Sequence, residues 1–264
     1  MIETPVAILL VAGVGSRLRP LTDDRPKALV EVAPGETILG RAVRLLVAAG
    51  VSEILAVTGY RKDAVEAALA GCPVKATFRH NEAYDRTQNS VSLAICEDAV
   101  AGRSFFKLDG DVLFRPEVLS RLAIRGGSIA VAVDQRAGLG AEEMKVLVEG
   151  DRIRAFGKGL DPATSAGESI GIERVDASFA PRLFRALHDA GRRGDTGLYY
   201  EDVYQELLGE GLDARLVDVT DLPWTEVDTP EDLARARALC ESGVLDGESH
   251  QVAIRERGGE RSEW

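Results

Sequence analysis

Short apolar runs alternate with amphipathic segments along most of the chain. Runs that predict buried strands lie at Val6–Ala12, Ile54–Thr58, Val74–Phe78, Phe105–Leu108, Ser128–Val133 and Ala214–Val219. Segments with apolar residues at helical spacing lie at Thr37–Ala49, Lys62–Ala70, Ser90–Val100, Glu117–Ile124, Ser178–Asp189, Tyr200–Leu208 and Pro230–Cys240. Strands that alternate with helices are typical of βαβ units, so the pattern predicts an α/β fold with a doubly wound, mostly parallel sheet. Ligands of such sheets bind beyond the carboxyl ends of the strands.

The rhythm changes after the strand predicted at Ser128–Val133. Two closely spaced runs, Met144–Val148 and Arg152–Phe156, are joined by a Glu-Gly-Asp turn, which predicts an antiparallel hairpin excursion from the sheet. Residues 1–240 contain neither a low-complexity linker nor a tandem repeat, so we predict one domain. Residues 241–264 are polar and almost aperiodic, and we expect a mobile or loosely docked C-terminal tail there.

The composition excludes several classes of protein. The 264 residues are 45% hydrophobic and 28% charged, which is typical of soluble globular chains, and the formal net charge is −11. Such a charge disfavours general attraction to nucleic acid or to an anionic membrane, so we expect neither as a partner. The run Val6–Val14 is too short to span a bilayer and follows no basic segment, so we expect a cytoplasmic protein, either monomer or homodimer. Cys72, Cys96 and Cys240 lie too far apart to predict a zinc site or a disulfide framework.

A glycine-rich turn follows the first predicted strand, within Leu9–Val32. Gly13 and Gly15 let the backbone approach a ligand closely, and successive amides there can donate to phosphate oxygens. Four basic residues follow within a short stretch: Arg17, Arg19, Arg25 and Lys27. A Walker A motif is absent, and Leu18 stands where a dinucleotide-binding fingerprint needs its third glycine. From the residues alone, the turn is either a polyphosphate-binding loop or a glycine-rich βα turn with solvated arginines.

This stretch resembles the signature Leu-Ala-Ala-Gly-x-Gly-x-Arg-Leu-x-Pro-Leu-Thr-x-x-x-Pro-Lys-x-Leu of the nucleotidyltransferase superfamily that makes nucleoside-diphosphate sugars and alcohols. The matching residues are Leu10, Ala12, Gly13, Gly15, Arg17, Leu18, Pro20, Leu21, Thr22, Pro26, Lys27 and Leu29. Val11 replaces an alanine, and one extra residue lies between Thr22 and Pro26. The resemblance implies a Rossmann-like, nucleotide-diphospho-sugar transferase fold, with Arg17 and Lys27 acting on the triphosphate. It also implies a loop around the nucleotide formed by Leu10, Ala12, Gly13, Gly15 and Ser16.

Two segments offer carboxylates for a metal ion. Asp109 and Asp111 end the predicted strand at Phe105–Leu108, and Asp228 lies in the segment Thr225–Leu233. Joining two phosphorus-containing anions needs a divalent cation or cationic side chains to offset their repulsion. The resemblance implies that Asp111 and Asp228 hold Mg²⁺, with Glu226 close by and Asp109 beside the nucleotide. On its own, Asp228-Thr229-Pro230 is also a helix start with Thr229 as N-cap, and both interpretations can hold at once.

The polar segment Asn81–Asp98 leads into a predicted helix, and Asn89 or Ser90 is the expected N-cap. The segment also resembles Asn-x-x-Tyr-x-x-x-Asn-Asn-x-Tyr-Ser-Leu of bacterial phosphocholine, aminoethylphosphonate and inositol-phosphate cytidylyltransferases. That resemblance implies that Gln88, Asn89 and Ser90 contact cytosine and ribose, and that the nucleotide is CTP.

Further likenesses to these cytidylyltransferases imply a site for the acceptor. They place Lys145 at the acceptor phosphate as a catalytic residue. They also imply an acceptor pocket built from Lys158, Glu168, Ser169, Tyr200, Glu201 and Asp202. Taken alone, the lysines are equally explained as solvated strand residues, and the segment Tyr199–Asp202 as a helix start with acidic residues.

We therefore expect a magnesium-dependent cytidylyltransferase that joins CMP to a small phosphate or phosphonate and releases pyrophosphate. Aromatic residues make up only 5% of the chain, which disfavours an aromatic cage for choline and favours an aminophosphonate or another small phosphorylated alcohol. One alternative is a sugar-1-phosphate nucleotidyltransferase that uses UTP, dTTP or GTP. Another is a non-catalytic domain that senses nucleotides or sugar phosphates.

Overall fold

The computed structural model describes residues 6–100, 102–136 and 138–246. Its strands are β1 (Val6–Leu10), β2 (Glu31–Ala33), β3 (Glu36–Thr37), β4 (Glu53–Thr58), β5 (Lys75–His80), β6 (Phe105–Asp109), β7 (Val112–Leu113), β8 (Ile129–Asp134), β9 (Lys145–Glu149), β10 (Arg152–Gly157), β11 (Gly167–Val175), β12 (Ala214–Asp218) and β13 (Thr225–Glu226). Its α-helices are α1 (Ile38–Ala48), α2 (Lys62–Leu69), α3 (Asn89–Ala94), α4 (Glu97–Val100), α5 (Glu117–Ile124), α6 (Ala180–Arg193), α7 (Tyr200–Gly209) and α8 (Pro230–Glu241).

The main sheet has the strand order β5-β4-β1-β6-β11-β8-β12-β10-β9 within the described residues. Strands β5, β4, β1 and β6 run parallel, as do β8 and β12. Strand β11 is antiparallel to both of its neighbours, β6 and β8. The predicted α/β fold with a mostly parallel central sheet is confirmed, and so is the hairpin, which forms β9 and β10.

Strand β11 is missing from the hydrophobic pattern because polar residues interrupt it. Glu168 and Arg174 break the alternation of apolar residues along the strand. Glu173, an acidic residue that the pattern would place on the surface, is completely buried. Its place in the sheet comes from tertiary pairing, since Glu173 lies directly across from Lys107 of β6. A cross-strand ion pair of this kind cannot be read from residue periodicity.

The helix predicted at Ser90–Val100 is instead two short helices, α3 and α4, and its predicted caps are wrong. Helix α3 begins at Asn89 after the N-cap residue Gln88, which makes no side-chain capping bond. Asn89 Oδ1 instead accepts from the backbone N–H of Tyr200, the first residue of α7, and the Ser90 hydroxyl donates to Leu198 O just before that helix. The cap predicted for α8 is confirmed, because Thr229 Oγ1 accepts from Asp232 N at 3.2 Å.

Both faces of the central sheet are buried. Along β1, Val6 and Ile8 pack into one hydrophobic cluster, and Ala7 and Leu9 pack into a second cluster on the opposite face. This explains why the strand is a continuous apolar run rather than an alternating one.

A third, smaller cluster lies beneath the loop that follows β1. Its buried members include Leu18 from that loop, Leu113 of β7, Val227 and Leu245. The cluster therefore joins the loop to the two segments that carry the candidate metal ligands.

The packed part of the chain extends beyond the boundary predicted at residue 240, at least to Asp246. Leu245 is fully buried, and the buried Arg41 donates to Leu245 O at 2.8 Å and pairs with Asp246 at 3.0 Å. The mobile tail predicted for the remainder, residues 247–264, lies outside the described residues, as does the segment 1–5. Within the described ranges, no helix combines the length and apolarity needed to cross a bilayer.

Candidate active site

The loop after β1 is shaped around Lys27. Gly15 has a positive φ of 70°, and a Cβ added there would lie 2.7 Å from Lys27 Cβ. Thr22 is completely buried and donates to Gly15 O at 2.8 Å, which fixes the turn. A glycine is needed here both for the left-handed backbone and for the close passage of the lysine.

Two distant segments bring their carboxylates together at the carboxyl end of the parallel strands. Asp111 follows β6, where Gly110 allows a close approach to β1, since a Cβ would lie 2.6 Å from Leu10 O. Strand β13 pairs with β7, and Val227 N donates to Asp111 O at 3.0 Å. This ladder places Asp228 beside Asp111.

Cationic side chains from the loop meet these carboxylates. Lys27 Nζ lies 2.6 Å from Asp111 Oδ2 and 2.5 Å from Asp228 Oδ1. Arg17 Nη2 lies 2.5 Å from the second oxygen of Asp228. Burial alone would lower the pKa of Lys27, but its attraction to the two aspartates outweighs burial and raises the pKa above its usual value.

Asp111, Glu226 and Asp228 form an acidic cluster whose ligand atoms all lie within 4.8 Å of one another. Desolvation in the cleft and repulsion by the two aspartates raise the pKa of Glu226 to about 8. Asp111 Oδ1 is buried and has no hydrogen-bond partner among the described residues. Several converging carboxylate oxygens, one of them unpaired, fit the preference of Mg²⁺ for hard oxygen ligands.

The cluster opens into a cleft of about 820 Å³, which continues into a smaller cavity of about 240 Å³ along the glycine-rich loop. Most of the residues expected from the sequence line these two spaces. They are Leu10, Ala12, Gly13, Gly15, Ser16, Arg17, Lys27, Gln88, Asn89, Asp109, Asp111, Lys158, Glu168, Ser169, Glu201 and Asp228. The geometry thus brings the expected nucleotide, metal and acceptor residues into one continuous cleft.

Two of the expected residues are turned away from the cleft. Lys145 was expected at the acceptor phosphate, but its buried Nζ donates to the carbonyls of Lys158 at 2.7 Å and Glu143 at 3.1 Å. Ser90 was expected at the nucleotide, but its hydroxyl donates to Leu198 O at 2.6 Å. Both side chains therefore stabilise neighbouring backbone rather than line the cleft.

Two acceptor residues expected at the start of α7 are also absent from the cleft lining. Tyr200 is fully buried, and its hydroxyl donates to Asp109 Oδ2 at 2.8 Å. Asp202 accepts from Tyr199 N at 2.8 Å and so stabilises the first turn of the helix. Of the acceptor residues expected in this segment, Glu201 alone reaches the cleft.

The cleft also contains residues that sequence reasoning missed. Arg136 lines it just beyond the carboxyl end of β8, where it pairs with Asp134 at 2.5 Å. Arg235 on α8 also lines it and donates to Thr225 Oγ1 at 2.9 Å. The position of Arg136 after a strand was the available signal, because ligands of such sheets bind at strand ends. Arg235 had no comparable signal in the sequence.

A buried charge network lies beneath the cleft. Lys107 Nζ is 2.7 Å from Glu173 Oε2 and 3.3 Å from Asp109 Oδ1, and it lies 3.4 Å above the centre of the Tyr200 ring. Burial raises the pKa of Glu173 to about 7 and that of Glu201 to about 8. Their attraction to Lys107 opposes this effect, and repulsion by Asp109 adds to it.

The chain is similar in sequence to two proteins whose names state a CMP-phosphonate synthase or cytidylyltransferase activity. The chain is 32% identical over 240 residues to CMP-5'-(3-aminopropyl)phosphonate synthase of Streptomyces rubellomurinus, a match that covers 87% of this chain and 38% of that protein. It is 27% identical to 2-aminoethylphosphonate cytidylyltransferase of Lancefieldella rimae, covering 88% of this chain and 92% of that protein. The chain spans about half the length of other curated relatives that it matches.

The structure superimposes on the inositol-1-phosphate CTP transferase from T. maritima with a TM-score of 0.78 and 25% identity, covering 94% of this chain and 99% of that chain. The model of the MobA-like NTP transferase domain matches residues 7–212, which include the loop after β1, Asp111 and most of the cleft lining. The chain belongs to the family of MobA-like NTP transferase domains.

Proposed function

We propose that the chain transfers CMP from CTP to a small phosphate or phosphonate acceptor and releases pyrophosphate. The observation that carries this proposal is the convergence of Arg17, Lys27, Asp111 and Asp228 at the mouth of the glycine-rich loop. Loop amides and basic side chains suit a triphosphate, and the adjacent carboxylates suit its metal ion. The choice of CTP is supported by the printed activities of the Streptomyces, Lancefieldella and T. maritima relatives.

In the proposed reaction, an oxygen of the acceptor attacks the α-phosphorus of CTP, and the bond from that phosphorus to the leaving pyrophosphate breaks. An ionised phosphonate oxygen is already a nucleophile, so no side chain has to remove a proton. The chain's contribution is then alignment of two anions and stabilisation of the charge that moves to pyrophosphate. Lys27 and Arg17 supply positive charge at the triphosphate when they turn from the aspartates to the nucleotide.

We propose that Asp111 and Asp228 hold Mg²⁺, with Glu226 beside them. The unpaired Asp111 Oδ1 and the close carboxylate cluster support this assignment. When bound, the ion would neutralise phosphate charge and polarise the phosphoryl oxygens of the nucleotide.

The acceptor phosphate needs a cation other than Lys145, whose ammonium is held by backbone carbonyls. Lys158 and Arg136 line the larger cleft but not the smaller cavity along the glycine-rich loop, and we assign them to the acceptor's charged oxygens. Lys158 Nζ lies 4.7 Å from the centre of the Tyr199 ring, and its closest carboxylate partner, Glu142, is 3.7 Å away and largely exposed. A lysine with so weak a partner can turn to a ligand at little cost.

The proposal is tested by measuring pyrophosphate release with Mg²⁺ for CTP, UTP, GTP, ATP and dTTP against small phosphonates, phosphocholine, inositol phosphate and hexose 1-phosphates. We expect release with CTP and a small acceptor. Asp111→Asn should abolish pyrophosphate release without changing the thermal midpoint by more than a few degrees. The control Asp63→Asn, on the exposed face of α2, should leave pyrophosphate release unchanged. Release only with a hexose 1-phosphate and another nucleotide would reassign the substrates. Silence across the panel would favour a domain that only binds nucleotides.

A further inference from the structure

The acceptor side of the cleft contains buried polar atoms that have no partner. Glu201 is 5% exposed, and its Oε2 atom has no hydrogen-bond partner in the described part of the chain. Ser169 is 9% exposed, and its hydroxyl is likewise unpaired there. Both residues line the cleft. Because buried polar atoms in native proteins are almost always paired, atoms of this kind in a cleft indicate a missing ligand group.

Glu201 also lacks a cation. Lys107, the ammonium nearest to it in the buried network, lies within ion-pair distance of Glu173 and Asp109, and no described cation lies within 4.0 Å of Glu201. Three carboxyl groups thus share one ammonium, and burial raises the pKa of Glu201 to about 8. A positive group bound next to Glu201 would remove this imbalance.

The buried network connects the two elements that carry the unpaired residues, α7 and β11. Glu201 is in the first turn of α7, next to Tyr200, whose hydroxyl binds Asp109. Ser169 is on β11, two residues before Gly171, whose carbonyl accepts from Lys107 at 3.2 Å. The same network of Lys107, Asp109 and Tyr200 therefore ties the start of α7 to this part of β11.

The chemistry of these atoms distinguishes between classes of cation. A primary ammonium has three N–H donors and no acceptor, so it can satisfy a carboxylate oxygen and a hydroxyl oxygen together. A quaternary ammonium has no N–H donor and requires aromatic faces. Glu201 Oε2 and Ser169 Oγ can both accept hydrogen bonds, so the two unpaired atoms match the N–H donors of a primary ammonium.

Resting on the proposed function, we propose that Glu201 and Ser169 form a subsite for a primary ammonium group at the far end of the acceptor, so that the acceptor is an aminoalkyl phosphonate or phosphate. The phosphonate end then lies toward Lys158, Arg136 and the α-phosphate of CTP. Glu201 is in this account the residue that selects amine-bearing acceptors over neutral ones.

The test compares acceptors that differ only at the far end: 2-aminoethylphosphonate, ethylphosphonate and phosphocholine, each with CTP and Mg²⁺. The wild-type protein should show a KM for 2-aminoethylphosphonate roughly 10- to 100-fold below those for the other two, the range expected for a hydrogen bond to a charged group. Glu201→Gln should raise that KM by a similar factor while leaving the KM for ethylphosphonate and for CTP unchanged. Ser169→Ala should have a smaller effect in the same direction.

The matched control is Glu206→Gln, because Glu206 is exposed on the same helix and pairs with Arg193 rather than lining the cleft. It should leave every KM unchanged. Equal use of ethylphosphonate and 2-aminoethylphosphonate by the wild-type protein would overturn the proposal. So would a loss in Glu201→Gln that is the same for both acceptors, since that would indicate a structural role.

Calorimetric titration separates this proposal from the proposed function. Turnover with none of the nucleotides would refute CMP transfer, but binding of 2-aminoethylphosphonate without binding of ethylphosphonate, lost in Glu201→Gln, would still support the ammonium subsite. Equal binding of both phosphonates, or binding of neither, would refute the subsite whether or not the protein turns over.

Discussion

Gly15→Ala tests whether the loop after β1 acts by positioning Lys27. The added Cβ would lie 2.7 Å from Lys27 Cβ, about 0.7 Å inside ordinary van der Waals contact, and 3.3 Å from Lys27 Cγ. The lysine must therefore move by a comparable distance or the loop must shift. Lys27 Nζ is placed within 2.6 Å of Asp111 and 2.5 Å of Asp228, so the displacement reaches the centre of the site.

The same change also strains the backbone, and this part of its effect can be measured separately. Alanine in a left-handed conformation costs about 1–2 kcal/mol. Gly50→Ala carries the same kind of strain at φ 86°, but nothing lies within 4 Å of the added Cβ. We expect Gly50→Ala to lower the thermal midpoint by about 2–8 °C without changing kcat/KM by more than about twofold.

Gly15→Ala should lower the thermal midpoint further, because crowding a packed site costs about 1–3 kcal/mol more. Its kcat/KM for CTP should fall by about 10- to 100-fold, since misplacing a catalytic group by about 1 Å can cost about that much. The assay is pyrophosphate release at saturating acceptor, alongside thermal unfolding of both variants. Equal kcat/KM in the two alanine variants would refute the reasoning, because it would show that contact with Lys27 does not matter.

Further predictions concern the charged groups of the site. Lys107→Met leaves Glu173 and Asp109 without their buried cation and should lower the unfolding free energy by about 3–5 kcal/mol, measured by urea unfolding; a loss below about 1 kcal/mol would contradict it. Burial raises the pKa of Glu201 to about 8 from the usual 4.5, so the folded protein holds this proton more tightly than the unfolded chain. The resulting stabilisation is present below pH 4.5 and is lost as the pH rises from 4.5 to about 8. The wild-type thermal midpoint should therefore fall relative to Glu201→Gln between about pH 5 and 8, and parallel curves would contradict this. Lys27 lies between the two candidate metal ligands, so we expect it to compete with a metal ion when no nucleotide is bound. Mn²⁺, followed by electron paramagnetic resonance, should therefore bind more tightly to Lys27→Met than to the wild-type protein. Equal affinities would show that Lys27 does not compete with the metal.

The sequence predicts the parts of the site that lie in contiguous segments. The loop residues Gly13 and Gly15 and the acidic residue Asp111 follow directly from buried strands, and parallel strands end at one edge of the sheet. Their meeting at one cleft therefore follows from the βαβ pattern. The pairing of β13 with β7 that adds Asp228 does not, because strands of two residues carry no periodic signal.

The direction of individual side chains is what the sequence does not predict. Lys145 and Ser90 are polar and directly follow residues that line the cleft, but their side chains donate to backbone carbonyls, Lys145 to Lys158 O and Ser90 to Leu198 O. Glu173 looks like a solvated charge until the register of β11 against β6 places it opposite Lys107. Such contacts depend on the register between strands, because a shift by one residue would turn every side chain of the strand to the other face of the sheet.

The most direct test of the account is ³¹P nuclear magnetic resonance of the protein incubated with CTP, Mg²⁺ and 2-aminoethylphosphonate. We predict equal amounts of pyrophosphate and of a product in which the phosphonate is joined to CMP, with neither formed from UTP, GTP, ATP or dTTP. The incubation is then repeated with phosphocholine, inositol phosphate and hexose 1-phosphates as acceptors. No such product from CTP with any of the small phosphates or phosphonates, or product formed only from a hexose 1-phosphate and another nucleotide, would contradict the assignment of CMP transfer.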